Sequence, residues 1–192
     1  MRILKTFPVL ILSMILLQVH AQTETPKGFK KGNILLADSS IASGSIKENI
    51  RSNASVQFIS EAGGKKKIYN GSDIISLNIE GDKFLCINGD FFKIISHGEL
   101  CFLQKLSDAS GKPSYNGNVA VFSSGTEGKP DDYFLYDDKS KQLKLVSKKN
   151  YTEVTAIAFA GYTAALDKAK STTNDIAQLK EAVDVYNSRT NK

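Results

Sequence analysis

The sequence predicts an α+β domain in which an antiparallel, curved or barrel-like β-sheet is followed by two C-terminal helices. Residues 33–148 consist of short apolar runs separated by Gly, Asn, Asp and Ser, a pattern typical of antiparallel strands joined by tight turns. Residues 149–192 change to apolar residues spaced three or four apart, which is typical of amphipathic helices. We expect one domain over residues 33–188, preceded by a flexible segment at 22–32.

Residues 1–21 have the three-part pattern of a secretory signal peptide. A basic start is followed by the apolar segment Phe7–Leu17 and by small or apolar residues at positions 19 and 21, and we expect cleavage after Ala21. A membrane anchor is the alternative, but it needs about 20 consecutive apolar residues, and Pro8 and Ser13 interrupt this run. The protein is therefore expected to be exported to the periplasm, the cell surface or the medium, and not to span a membrane once the signal is removed.

The charge of the exported chain argues against nucleic-acid binding. Loss of Arg2 and Lys5 with the signal leaves 23 Lys and Arg against 20 Asp and Glu, so the formal charge falls from +5 to +3. Nucleic-acid-binding proteins present a basic face with Arg or aromatic readers, whereas Arg51 and Arg189 are the only arginines after residue 21. The excess of lysine is therefore interpreted as solvated surface.

The strands are predicted from apolar runs bounded by turn residues. Val56 and Phe58 alternate with polar residues, as do Leu143 and Leu145, so these strands should bury one face and expose the other. The predicted strands are Ile34–Ala37, Gly44–Glu48, Ser55–Ser60, Lys66–Tyr69, Ile74–Glu80, Lys83–Ile87, Phe91–Ser96, Glu99–Leu106, Val119–Ser123, Tyr133–Asp137 and Gln142–Ser147.

Tight turns join the central strands into a meander. Glu80–Lys83 and Ile87–Asp90 both read as hairpins, and Asn88-Gly89 is a strong signal because both central residues of a type I′ turn need positive φ. Ser96–Glu99 is a third candidate. The Gly- and Pro-rich segment Ser107–Asp132 is instead predicted to be a long loop or loop pair, and such loops often carry function.

The C-terminal segment should form two helices that cover an apolar face of the sheet. The first presents Val154, Ile157, Ala158, Gly161, Ala165 and Leu166 on one side, and the second presents Ile176, Leu179, Val183 and Tyr186. Packing of these helices in the core is favoured over binding to a partner or to a membrane surface, because the sheet would otherwise expose an apolar face to water.

The two cysteines are predicted to be unpaired. A turn at Asn88-Gly89 places Cys86 opposite Phe91, and a turn at His97-Gly98 places Cys101 opposite Ile94. Phe91 and Ile94 point to opposite sides of their strand, so the cysteines would lie two strands apart and on opposite faces. A disulfide tolerates about 7 Å between Cα atoms, which this arrangement exceeds.

Catalytic and metal-binding signatures are poorly represented. His97 is the only histidine after residue 21, and a turn position is more simply explained by exposure than by a Ser-His-Asp mechanism. Two distant cysteines and one histidine do not make a zinc site. No phosphate-binding loop, dinucleotide-binding Gly pattern or His-Glu-x-x-His is present. We expect no cofactor and no metal, and enzymatic activity is disfavoured.

Four carboxylates leave one enzymatic alternative open. Asp131 and Asp132 precede the strand Tyr133–Asp137, and Asp137 and Asp138 end it. Two of them acting as acid and base would make a small envelope hydrolase, whereas acids at strand ends are also ordinary turn residues.

Several short motifs occur in order along the chain. They are Gly44-Ser45-Ile46-Lys47, Val56-Gln57-Phe58-Ile59, Lys67-Ile68-Tyr69, Asp73-Ile74-Ile75-Ser76-Leu77, the hairpin Phe91–Leu100, the strand pair within Tyr133–Val146 and a terminal Tyr186-Asn187. This arrangement resembles that of uncharacterised secreted or envelope β-rich proteins of Bacteroidota. The resemblance implies an exported β-rich protein with terminal helices. It implies no activity and no functional residues.

The function favoured by the sequence is a non-catalytic binding or structural module. Its partner is expected to be an envelope protein, a glycan or an apolar small molecule. The expected contact region is Ser107–Asp132, or the interior of a curved sheet that contains Phe91, Phe92 and Phe102.

Overall fold

The computed structural model describes residues 25–116, 119–172 and 175–191. They form a mostly β, α+β fold in which an antiparallel sheet precedes C-terminal helices, as predicted. The predicted signal peptide lies outside the described residues. Strand β1 begins at Lys30, so the segment predicted to be flexible to residue 32 already contributes to the sheet.

Ten strands of the described chain form one antiparallel sheet in the order β12-β11-β8-β7-β6-β5-β1-β2-β3-β4. Strands β9 and β10 form a separate hairpin, and β9, with few apolar residues, was not among the predicted strands. The strands are β1 Lys30–Leu36, β2 Ile41–Asn49, β3 Ser55–Ser60, β4 Lys67–Asn70, β5 Ile74–Ile79, β6 Asp82–Ile87, β7 Asp90–Ser96, β8 Leu100–Lys105, β9 Pro113–Asn116, β10 Val119–Phe122, β11 Tyr133–Asp137 and β12 Gln142–Val146.

The sheet is strongly curved at its N-terminal end but does not close into a barrel. Strand β4 is joined to β5 by the 3₁₀ turn Gly71–Asp73, although β1, β2 and β3 separate the two strands in the sheet. Four strand spacings in a flat sheet amount to about 19 Å, whereas the four Cα steps of this link span at most about 14 Å. The sheet must therefore curl, and the curl encloses an apolar core that includes the fully buried Ile34, Ile46 and Val56.

The predicted turn Ile87–Asp90 is confirmed in detail, whereas the turn predicted at Glu80–Lys83 lies one residue earlier, since Ile79 pairs with Asp82. Glu80 and Gly81 have φ of 50° and 97°, and Asn88 and Gly89 have φ of 49° and 86°, as turns with two left-handed residues require. The third predicted turn, Ser96–Glu99, lies between β7 and β8, but it is not a tight hairpin turn, because Ser96 pairs with Phe102 and not with Glu99.

Three α-helices follow the sheet in the described part of the chain, where two helices were predicted. Short helix α1, Ile50–Asn53, lies within the sheet region, and α2 Tyr151–Ala158, α3 Thr163–Ser171 and α4 Leu179–Asn187 follow β12. The first predicted helix is divided because Gly161 adopts a φ of 78° between α2 and α3. Among the described residues, no helix is both long and apolar enough to cross a membrane.

The helices pack on one face of the sheet. Leu179, Ala182 and Val183 of α4 are fully buried in a cluster with Leu100, Phe102 and Leu135 of the sheet. Phe92, Leu103 and Phe134 form a second cluster on the opposite face. The sheet region and the helical segment thus share a core.

The cysteines are unpaired, although one step of the register argument is wrong. Cys86 lies opposite Phe91, as predicted. Ile94, however, lies opposite Leu103 and not Cys101, because the connection from β7 to β8 is longer than a two-residue turn and pairs Ser96 with Phe102. Cys86 packs with the core of the curled sheet and Cys101 with the cluster on the other face, so both thiols are free.

Candidate functional site

A cleft of about 390 Å³ opens between strands β8, β11 and β12 and helices α2 and α4. We call it the sheet–helix cleft. Its floor includes Leu100 and Leu135, which are 6% and 2% exposed, and Val154 and Tyr186 on the helices are half-buried. Ile157 lines the same cleft with 69% of its surface exposed, so apolar surface is available to a ligand. Small-molecule sites fall in this range of volume and are mostly apolar.

The aromatic wall of the cleft is fixed by contacts behind it. The ring of Tyr186 lies 5.4 Å from that of Phe159 and 6.1 Å from that of Tyr162, centroid to centroid. The guanidinium of Arg189 covers Tyr186 at 3.5 Å from the ring centroid, a cation–π contact. Tyr186 is therefore held in place before any ligand arrives.

The rim of the cleft is polar and carries both signs of charge. Glu99 accepts from Lys139 Nζ at 2.9 Å and pairs with Arg189 Nη2 at 2.8 Å. The pKa of Glu99 is lowered, chiefly by the hydrogen bond from Lys139 and also by the charge of Arg189. Lys144 on β12 and Glu153 on α2 also line the rim, and neither forms an ion pair with another described residue. The charge of Glu99 is thus neutralised by its two partners, whereas Lys144 and Glu153 are exposed to solvent.

Asp137 is the only predicted carboxylate that lines the cleft in the described part of the chain. Its Oδ1 accepts the backbone N–H groups of Lys139 at 2.8 Å and Ser140 at 3.2 Å in the turn after β11. The hydrogen bonds from Ser140 are the main cause of the lowered pKa of Asp137. This carboxylate is therefore stabilised as an anion by the turn, which suits a fixed acceptor better than a proton donor.

The other three predicted carboxylates do not join Asp137. Asp131 forms two hydrogen bonds with Arg51, at 2.6 and 2.9 Å, and the hydrogen bond from Arg51 is the main cause of the lowered Asp131 pKa. Asp132 accepts from the backbone N–H of Lys129 at 2.8 Å, and Asp138 pairs with Lys141 at 2.8 Å. These contacts belong to turns and to surface ion pairs.

Strand β11 also separates the two carboxylate pairs. Asp132 and Asp137 are five residues apart along an extended strand, which is about 17 Å. The acid and base of a glycosidase lie about 5–9.5 Å apart. The four carboxylates therefore do not form one acid–base site.

His97 and the cysteines lie outside the cleft. His97 is exposed in the connection between β7 and β8, where the sequence predicted it. Burial raises the pKa of Cys86 well above its usual value, and burial also raises the pKa of Cys101. Within residues 25–116, 119–172 and 175–191, no group of three or more His, Cys, Asp or Glu side chains is arranged to hold a metal ion.

A buried ion pair that sequence reasoning missed fixes the predicted loop region. Lys105 and Asp90 are both 0% exposed, and Lys105 Nζ lies 3.1 Å from Asp90 Oδ2. The same ammonium group donates to the backbone oxygens of Thr126, Glu127 and Gly128 at 2.8, 3.2 and 3.0 Å. This arrangement ties residues 126–128 to strands β7 and β8.

The carboxylate of Asp90 completes the network. It accepts from Ser107 Oγ, from the backbone N–H groups of Ala109 and Thr126, and from Thr126 Oγ1, at 2.7–3.2 Å. Buried charges that are paired and fully hydrogen-bonded are structural anchors. Both ends of the predicted contact region Ser107–Asp132 are therefore tethered to the sheet. Asp90 stands in a turn and Lys105 at a strand end, where the pattern indicates solvated residues, so the sequence offers no signal for this pair.

Comparisons with protein-family models, with curated proteins and with solved structures find no match to this chain.

Proposed function

We propose that this protein is an exported, non-catalytic binding module that holds an amphiphilic small molecule in the sheet–helix cleft. The observation that carries the proposal is the open cleft of about 390 Å³ with buried Leu100 and Leu135 at its floor and exposed Ile157 at its mouth. An apolar body would cover this floor and gain about 25 cal/mol for each Å² removed from water. Polar groups of the ligand would meet Lys144 and Glu153 at the rim.

The fixed setting of the cleft supports binding in preference to hydrolysis. Tyr186 is packed from behind, Glu99 is neutralised by two cations, and Asp137 is engaged by its turn. A general acid needs a raised pKa near the working pH, whereas the pKa values of Glu99 and Asp137 are both lowered. The predicted small hydrolase that uses Asp131, Asp132, Asp137 and Asp138 is therefore the weaker proposal.

Binding in the cleft is tested with a fluorescent probe and with a variant whose larger side chain fills the cleft. The probe is N-phenyl-1-naphthylamine, an apolar fluorophore whose emission rises in a dry site. Ala158 lines the cleft on α2, so Ala158→Phe should reduce probe binding at least tenfold without loss of the fold. Ala156→Phe on the exposed side of the same helix is the matched control and should bind as the unchanged protein does. Equal binding by both variants contradicts the proposal.

Export to the periplasm or the cell surface forms the rest of the proposal. The pattern of residues 1–21 and the resemblance to exported Bacteroidota proteins support a periplasmic or surface location. Cell fractionation with N-terminal sequencing tests both, and a mature chain that begins at Gln22 in the envelope or the medium is the expected result. A full-length chain recovered from the cytosol contradicts it.

A further inference from the structure

A second concave surface lies at one end of the curled sheet, away from the cleft. It is an open groove of about 470 Å³ between the end of β10, the 3₁₀ turn before β5 and the turn between β6 and β7. We call it the hairpin groove. Its two exposed apolar side chains are Phe122, 66% exposed, and Ile75, 40% exposed.

The polar groups of the hairpin groove are neutral. Ser72, Asn88 and Ser124 are exposed and line it together with Phe122 and Ile75. No charged side chain lines the groove within the described residues. Hydroxyl and amide groups both donate and accept hydrogen bonds, so the surface combines an exposed aromatic ring with neutral hydrogen-bonding groups.

Close backbone contacts hold the walls of the groove together. The Ser123 hydroxyl donates to the backbone oxygen of Asn88 at 2.6 Å and accepts from the N–H of Gly125 at 3.1 Å, which fixes the end of β10 against the β6–β7 turn. Gly71 lies so near that turn that a Cβ there would be 2.0 Å from the oxygen of Gly89. A site built in advance loses less entropy when it binds.

We propose that the hairpin groove binds a neutral saccharide. A sugar ring presents an apolar C–H face, which suits the exposed Phe122 ring, and neutral hydroxyls, which suit Ser72, Asn88 and Ser124. An ionic ligand finds no counter-charge in the groove lining. A purely apolar ligand would cover these three polar side chains without replacing their hydrogen bonds to water, which is costly.

The test is a titration of the ¹⁵N-labelled protein with maltohexaose, cellohexaose and xylohexaose, and with oligogalacturonate as the acidic counterpart. At least one neutral oligosaccharide should shift the amide signals of Ser72, Asn88 and Ser124, and oligogalacturonate should not. Phe122→Ala should weaken the binding about tenfold, because it removes the aromatic ring that would cover the C–H face of the sugar. Ile41→Ala, which removes another exposed apolar side chain outside the groove, should leave it unchanged.

Three outcomes of the sugar titration overturn the proposal. They are the absence of shifts with all three neutral sugars, equal binding of oligogalacturonate, and shifts that survive in Phe122→Ala at full strength. Self-association that broadens the groove signals before sugar is added would also overturn it in favour of a contact between copies. None of these results bears on the sheet–helix cleft, whose probe and variants are separate.

Discussion

The side-chain amide of Asn187 forms two hydrogen bonds with the backbone of Leu100, one to its N–H and one to its carbonyl oxygen. Its Oδ1 accepts the N–H of Leu100 at 3.1 Å, and its Nδ2 donates to the oxygen of Leu100 at 2.8 Å. Gly98 leaves room for this contact, since a Cβ at that position would lie 2.3 Å from Asn187 Cγ. The end of α4 is thereby fastened to the start of β8, beside the cleft residues Glu99, Leu100 and Tyr186.

Gly98 and Asn187 should therefore be energetically coupled. Gly98→Ala displaces the Asn187 amide and leaves the Leu100 backbone groups without these partners, at a cost of about 1–3 kcal/mol. Asn187→Ala should cost a similar amount, and the double variant should cost clearly less than both together. Urea unfolding of the four proteins measures the cycle, and strictly additive losses would show that the two residues act independently.

Removal of the buried ammonium should be the most damaging of the single changes considered. Lys105→Met leaves Asp90 as a buried charge and removes a donor from three backbone oxygens, so we expect a loss of about 3–5 kcal/mol. Hydrogen exchange should also quicken at residues 126–128, which the ammonium holds. Both effects can be measured on the same sample.

Lys93→Met is the matched control for Lys105→Met. Lys93 lies in the adjoining strand β7, and its ion pair with Asp82, at 2.9 Å, is partly exposed to water. Such pairs contribute about 1 kcal/mol or less. A loss at position 105 no larger than that at position 93 would contradict an anchoring role.

The ion pairs of Glu99 should make stability depend on pH. Because the Glu99 pKa is lower in the folded protein than its usual value of 4.5, the stabilisation is fully present above that value. It is lost as the pH falls below 4.5 and through the folded pKa. The melting temperature of Glu99→Gln should therefore lie below that of the unchanged protein at pH 7 and approach it at pH 3. A constant difference over this range would contradict the assignment.

The two thiols should be free and slow to react. Burial raises the pKa of both Cys86 and Cys101, so little thiolate forms near neutral pH. Iodoacetamide should label both residues readily in 6 M guanidinium and slowly in the native protein. Mass spectrometry without reductant should show no bridge between residues 86 and 101, and a melting temperature that falls on addition of reductant would indicate one.

Local features of the fold were predictable because their causes are local. Positive φ at Asn88 and Gly89 follows from residue types that tolerate it, and the buried Val56 and Phe58 follow from alternation along β3. The displacement of Cys101 from Ile94 was not predictable, because the hydrophobic pattern does not show that the connection between β7 and β8 is long enough to pair Ser96 with Phe102. Gly161 marks the separation of α2 from α3, but the sequence alone did not predict a break there, because glycine is also tolerated within helices.

The candidate site was not predictable from the sequence, because it is formed by contacts between distant parts of the chain. Leu135 on β11 and Ile157 on α2 meet in the cleft only once the helices have packed on the sheet. Asp137 was identified from the sequence for its acidity, yet its Oδ1 accepts two backbone N–H groups of a turn. Lys105 and Asp90 are 15 positions apart and both read as surface residues, so their mutual burial appears only in the structure.

The sheet is able to grow in the direction of protein synthesis. Because the short link Gly71–Asp73 brings β5 back to β1, strands β1 to β4 have all their sheet partners within residues 30–79. Each later strand of the sheet then pairs with one that precedes it in the chain, up to β12 on β11. A chain that emerges from its N-terminus can thus add every new strand to an edge already in place, with the helices that complete the cleft arriving last.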